Sequence, residues 1–165
     1  MSSPLTWLPQ TLKEIAAHAG KDSPYWHARL REFLDVFYTT VWEEKLSLIQ
    51  EEPPLTGNVY FDAYMAAAAE TLAYEYDLGY PRWIFAEERF LRRPYFPDGF
   101  DGMKAYFFVN TPSSFNRRML FVGEQTLYRP LKTIRATTIE YQSGGDYEIR
   151  KNGQRSHPVR FAPSG

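Results

Sequence analysis

The chain has 165 residues, enough for one domain with a substantial core and short for a two-domain enzyme. Its 19 Lys and Arg against 20 Asp and Glu give a net charge of −1, which excludes both a global polycation suited to nucleic acid and the charge excess of a disordered chain. The absence of cysteine excludes disulfides, thiolate catalysis and cysteine-ligated zinc, and agrees with a cytoplasmic location. No apolar run approaches the roughly 18 residues needed to span a bilayer, and the first residues lack the basic and apolar regions of a signal peptide, so no membrane partner is expected. Aromatic residues are abundant, with 12 Tyr, 12 Phe and 4 Trp, and where they fall becomes the question.

In chain order, Pro9 and Gln10 open a predicted helix over 11–19 that Gly20 stops. Ser23 is the predicted N-cap of a second helix, with Pro24 at its first position. Leu30, Phe33, Leu34, Phe37, Tyr38 and Val41 then follow the i, i+3, i+4, i+7, i+8, i+11 series of one helical face. Pro53 and Pro54 end this region. A third helix is predicted from about Asn58 to a stop at Asp77-Leu78-Gly79. Tyr60, Phe61, Tyr64, Ala68 and Leu72 share one of its faces, and the alanines at 66–69 allow a neighbour to approach closely. Pro81 begins a short helix from Arg82 to about Leu91, and 93–99 is rich in turn residues.

Beyond residue 100, β-branched and aromatic residues with Gly, Asn and Pro punctuation predict strands at 105–109 and 119–122, with a helical turn at 112–118 between them. A hairpin is predicted from 137–141 and 146–150 around Gln142-Ser143-Gly144-Gly145. The expected fold class is therefore α+β, an N-terminal bundle of three to four helices followed by a small antiparallel β region and a basic C-terminal tail. Residues 1–131 form one globular domain, helical to 91 and mixed strand and turn over 92–131. Residues 132–165 form a basic hairpin or extended tail. Charge follows the same division: 1–56 carry 5 basic and 8 acidic residues, whereas 132–165 carry 6 and 3.

Catalytic constellations are sparse. Asp98 and Asp101 flank Gly99-Phe100 and form a candidate acid/base or cation-holding pair, but Asp in Pro-Asp-Gly is what a tight turn selects. Glu43-Glu44 and Glu87-Glu88 are adjacent on predicted helices, so their side chains diverge by about 100°. His18 and His27 have no carboxylate or serine at triad spacing, and no glycine-rich phosphate cradle, HExxH or GxSxG occurs. No enzymatic activity, cofactor or metal is expected. Residues 11–31 echo a helix-turn-helix through Ile15-Ala16-x-x-Ala19-Gly20, with His27 and Arg29 as candidate DNA-binding residues, although the segment is net acidic. Arg92, Arg93, Tyr95, Phe96, Arg117 and Arg118 are the candidate partner-binding residues, because guanidinium groups beside aromatic rings are typical of protein interfaces. The same composition also serves single-stranded nucleic-acid platforms.

Several segments occur in an order that carries a resemblance. They are Glu51-Glu52-Pro53-Pro54-Leu55-Thr56-Gly57, Asp62-Ala63-Tyr64, Tyr80-Pro81-Arg82-Trp83, Phe90-Leu91, Tyr95-Phe96-Pro97, Asn110-Thr111-Pro112-Ser113-Ser114-Phe115-Asn116-Arg117-Arg118 and Leu120-Phe121-Val122. Over about residues 30–131 the chain resembles a bacterial family of uncharacterised proteins, which includes the C-terminal part of helix-turn-helix proteins encoded beside nucleotidyltransferase-like proteins. The resemblance implies an antitoxin-like component of a toxin–antitoxin module, with a cognate nucleotidyltransferase-like toxin as its partner. The alternative is a transcriptional regulator that binds DNA through residues 11–31.

Overall fold

The computed structural model describes residues 11–19, 25–97 and 101–130, and these form six α-helices. They are α1 (Leu12–Ala19), α2 (Trp26–Thr39), α3 (Trp42–Ile49), α4 (Val59–Glu75), α5 (Lys104–Asn110) and α6 (Ser113–Asn116). Short 3-10 turns at Arg82–Phe85, Glu87–Arg89 and Asp101–Met103 complete the elements.

The periodic stripe on α2 is buried as its spacing requires: Leu30, Phe33, Leu34, Phe37 and Tyr38 all lie in the core. The helix stops two residues short of the end of the stripe. The hydroxyls of Thr39 and Thr40 donate back to the carbonyls of Asp35 (2.8 Å) and Val36 (2.7 Å), local side-chain bonds that compete with continuing the helix. Val41 is thereby left exposed, in an extended conformation, as the N-cap of α3. Lys45 on α3 closes the break. Its buried ammonium donates to the Phe37 carbonyl and sits over the rings of Phe37 (4.5 Å) and Tyr76 (4.7 Å), a cation at a helix C-terminus.

Helix α4 is the centre of the molecule, and every residue from Phe61 to Glu70 is buried. A helix apolar on all sides needs neighbours all round. Trp26 of α2 stacks on Phe61 at 4.8 Å, and Phe115 of α6 meets Tyr64 edge-on at 4.9 Å. The small alanines at 66–69 are fully buried, as close packing of a neighbour demands. Asn58 caps the helix by accepting from the amides of Tyr60 (3.1 Å) and Phe61 (3.2 Å). Buried Asp62 accepts from the Thr56 amide (3.0 Å) and hydroxyl (2.8 Å), which holds the loop that delivers the cap. Asn58→Ala is expected to lower unfolding free energy by about 1 kcal/mol, measured as a shift of the urea midpoint at constant slope. At the far end the Asp77 amide bonds the Tyr74 carbonyl and the Leu78 amide the Ala73 carbonyl, with Asp77 at φ 53. That is the Schellman arrangement, so Asp77-Leu78-Gly79 stops the helix where the sequence indicates.

The expected α+β class is not what forms. No strand exists among the described residues, and the β pairing there is one parallel bridge between Tyr95 and Leu120. The segment predicted as a strand at 105–109 is helix α5. Five successive apolar or small residues set no alternation, and an unpaired strand leaves its backbone unsatisfied where a helix bonds internally. The 119–122 strand fails for a different reason. Met119 has φ 59 and ends α6 in a second Schellman turn, with the Leu120 amide bonding the Phe115 carbonyl at 3.0 Å. The short helix expected over 82–91 is instead two 3-10 turns, between which Ala86 is extended. The predicted helical turn at 112–118 is present as α6. Ser23, Pro24, the 137–150 hairpin and the basic tail 132–165 lie outside the described residues.

Candidate protein-binding site

The segment after the second 3-10 turn, which bends at Arg92 and Arg93, runs past the start of α4, and a groove of about 860 Å³ lies between them. Leu55, Val59, Tyr60, Phe90, Leu91 and Pro94 give it an apolar lining. The cationic edge is Arg92 and Arg93, both exposed and without a hydrogen bond or ion pair among the described residues. Glu87 and Glu88, on the turn that precedes Phe90, supply charge of the opposite sign.

Two buried guanidinium groups hold this segment in place. Arg89 is fully buried, donates through Nη2 to the Pro53 carbonyl and lies over the Trp83 ring at 5.0 Å. Trp83 in turn donates to the Ile49 carbonyl at 3.0 Å, so the 3-10 turns are pinned to the loop after α3. Burial pushes the Arg89 pKa down, and the carboxylates of Asp62, Glu52 and Glu88 oppose the shift. Its Nε and Nη1 have no hydrogen-bond partner, which costs desolvation energy that the ring contact offsets only in part.

Arg118 is the second. Its Nη1 donates to Glu70 Oε2 (2.5 Å) and to the Ser114 carbonyl (2.7 Å), and its Nη2 to the Ile84 carbonyl (2.6 Å). The guanidinium sits 4.6 Å from the centre of the Phe90 ring, directly behind the groove lining. Burial pushes the Arg118 pKa down to about 10, with neighbouring Arg117 adding to the shift, so the group is still a cation at neutral pH. Arg117 pairs with the other oxygen of Glu70 from a half-exposed position. One buried carboxylate on α4 therefore gathers two arginines from the turn after α6.

The six residues singled out from the sequence are thus divided. Arg92 and Arg93 stand free on the groove. Arg118 is core and Arg117 is committed to Glu70, so neither presents an open guanidinium. Tyr95 and Phe96 are half-buried: Tyr95 stacks on Tyr60 at 3.9 Å, and Phe96 stacks on Phe121 at 4.8 Å. The sequence reading missed Glu70 and Asp62, the two carboxylates buried on α4. Their signal was present, since a charge within an otherwise apolar helix needs a buried partner.

Elsewhere, His27 is exposed with its ring stacked on Trp26 at 3.3 Å, and Arg29 pairs with Glu32 at 3.0 Å. Asp98 and the side chain of Asp101 lie outside the described residues. No helix among the described residues is long and apolar enough to cross a membrane, and no group of three or more His, Cys, Asp or Glu there is placed to hold a metal ion. No family model, curated protein or solved structure matches the chain.

Proposed function

We propose that the chain is a non-enzymatic, cytoplasmic partner-binding protein, the antitoxin-like component of a bacterial toxin–antitoxin module that binds and neutralises a nucleotidyltransferase-like toxin. The observation that carries the partner-binding part is the pair of unpaired arginines, Arg92 and Arg93, beside an apolar groove on a pinned segment. Cations that take no part in the fold, set next to apolar surface, are free to serve an interface. The identity of the partner rests on the sequence resemblance over 30–131. In this reading the basic segment 132–165 covers the acidic, metal-binding site of the toxin.

The test is co-expression with a nucleotidyltransferase-like protein sought among the products of the genes adjoining that of the chain. The wild-type chain is expected to restore growth and to co-purify with that protein. Arg92→Glu with Arg93→Glu is expected to weaken the complex by about 2 kcal/mol or more, roughly thirtyfold in Kd, with an unchanged melting temperature. A wild-type chain that neither binds this protein nor protects cells removes the proposal. Salt-dependent binding to its own promoter that is lost in His27→Ala with Arg29→Ala favours the DNA-binding alternative instead.

A further inference from the structure

Resting on the reading of the chain as a partner-binding protein, we propose that the groove beside Phe90 and Leu91 holds an extended polypeptide segment with an apolar anchor flanked by one acidic and one basic side chain. Three features of the site specify this occupant. The charges are ordered along the segment, with Glu87 and Glu88 before Phe90-Leu91 and Arg92 and Arg93 after it, and none of the four makes an ion pair among the described residues. A complementary occupant therefore carries both signs. Arg92 lies four positions after Glu88, at most about 14 Å away, so the two charges of an extended occupant fall no more than about four residues apart.

Main-chain chemistry points the same way. Leu91, Arg92 and Arg93 make no backbone hydrogen bond to any described residue. Backbone donors and acceptors seek partners, and an extended peptide lying alongside supplies them at regular spacing. The apolar lining from Leu55, Val59, Tyr60 and Phe90 then receives the anchor side chain. Phe90 is backed by the Arg118 guanidinium and Tyr60 by the Tyr95 ring, so these walls are fixed before binding and cost little ordering. A nucleic acid is disfavoured at the same place. Exposed Glu87 and Glu88 balance Arg92 and Arg93, so the groove offers no excess of positive charge to phosphates.

The experiment is selection of a displayed random dodecapeptide library on the full chain, followed by fluorescence polarisation of the enriched peptides. Enriched sequences are expected to carry an acid and a base on either side of an apolar or aromatic residue. They are expected to bind Arg92→Glu with Arg93→Glu at least about tenfold more weakly, and Glu87→Lys with Glu88→Lys likewise. Arg92 and Arg93 are exposed, so an unchanged melting temperature accompanies the loss in their variant, whereas Glu88 faces buried Arg89 and its variant is read at a temperature where it is shown to be folded. Peptides of uniform charge sign, peptides that bind both variants as well as wild type, an empty selection, or tighter binding of a twelve-nucleotide single-stranded DNA each overturn the proposal. Peptide selection does not involve the toxin. A groove that binds dipolar peptides in a chain that fails to neutralise the toxin keeps this inference and removes only the identity of the partner, and neutralisation without peptide binding does the reverse.

Discussion

Glu70→Leu is expected to destabilise the protein by about 3–5 kcal/mol, a large part of the roughly 5–15 kcal/mol by which domains of this size are stable. Glu70 is 5% exposed and is the anionic partner of the fully buried Arg118. Leucine fills much of the volume but strands a guanidinium that keeps only two carbonyls and a ring face, with Nε already unpartnered. The cost comes from the uncompensated charge, not from a lost contact. Glu70→Leu combined with Arg118→Met removes both charges and is therefore expected to recover most of the loss, which a double-mutant cycle in urea measures directly. A loss below about 1 kcal/mol in the single variant, or a double variant worse than the single, contradicts this account of the pair.

The pH dependence has a defined sign. Arg118 titrates at about 10 in the folded protein, below its unfolded value. The unfolded state thus holds this proton more tightly, and the stability linked to Arg118 rises only as pH climbs above about 10. Between pH 6 and 9 Arg118 of the wild-type chain is protonated in both states, so the stability linked to it is expected to be flat over that range.

Phe115→Ala is expected to cost about 3–5 kcal/mol, read as a fall in melting temperature of about 10 °C or more for a chain of this length. Phe115 is fully buried on a helix of four residues and packs edge-on against Tyr64 of α4. So short a helix has almost no stability of its own and is held by that ring and by the contact between Ser114 and Thr71. The turn that follows also delivers Arg118 to Glu70, so loosening α6 unsettles the buried ion pair as well. The two losses are accordingly not additive: Phe115→Ala with Glu70→Leu is expected to cost less than the sum of the single changes. A fall below about 3 °C for Phe115→Ala alone contradicts the anchoring role.

Helices α1, α2 and α4 were legible because their signals are local, whereas α3 had no expectation of its own. The i, i+3, i+4 stripe from Leu30 to Tyr38 needs only backbone periodicity to be read, and Asn58 and Asp77-Leu78-Gly79 mark the ends of α4 by hydrogen bonds within a few residues. The error in the second half came from propensity. Tyr106, Phe107, Phe108 and Val109 favour strands only where a partner strand offers pairing, and no described segment pairs with them, so α5 forms with Tyr106, Phe108 and Val109 exposed. Adjacent arginines look alike in sequence, yet Arg92-Arg93 stay free while Arg117-Arg118 are drawn to a carboxylate some fifty positions away.

What the sequence alone determined is therefore the helical frame around α4, the caps that bound it and the absence of any recognised catalytic motif, since each is set within one or two turns of chain. Only the tertiary structure decided that Arg118 is core and Arg92 and Arg93 are surface, that Glu70 and Asp62 are buried, and that half-buried Phe90 lines a groove while neighbouring Leu91 reaches the core. The physical reason is distance along the chain. The ion pair of Glu70 with Arg118 and the stack of Tyr60 on Tyr95 join residues 48 and 35 positions apart, and no local pattern encodes which of several equivalent partners the folded chain brings within reach.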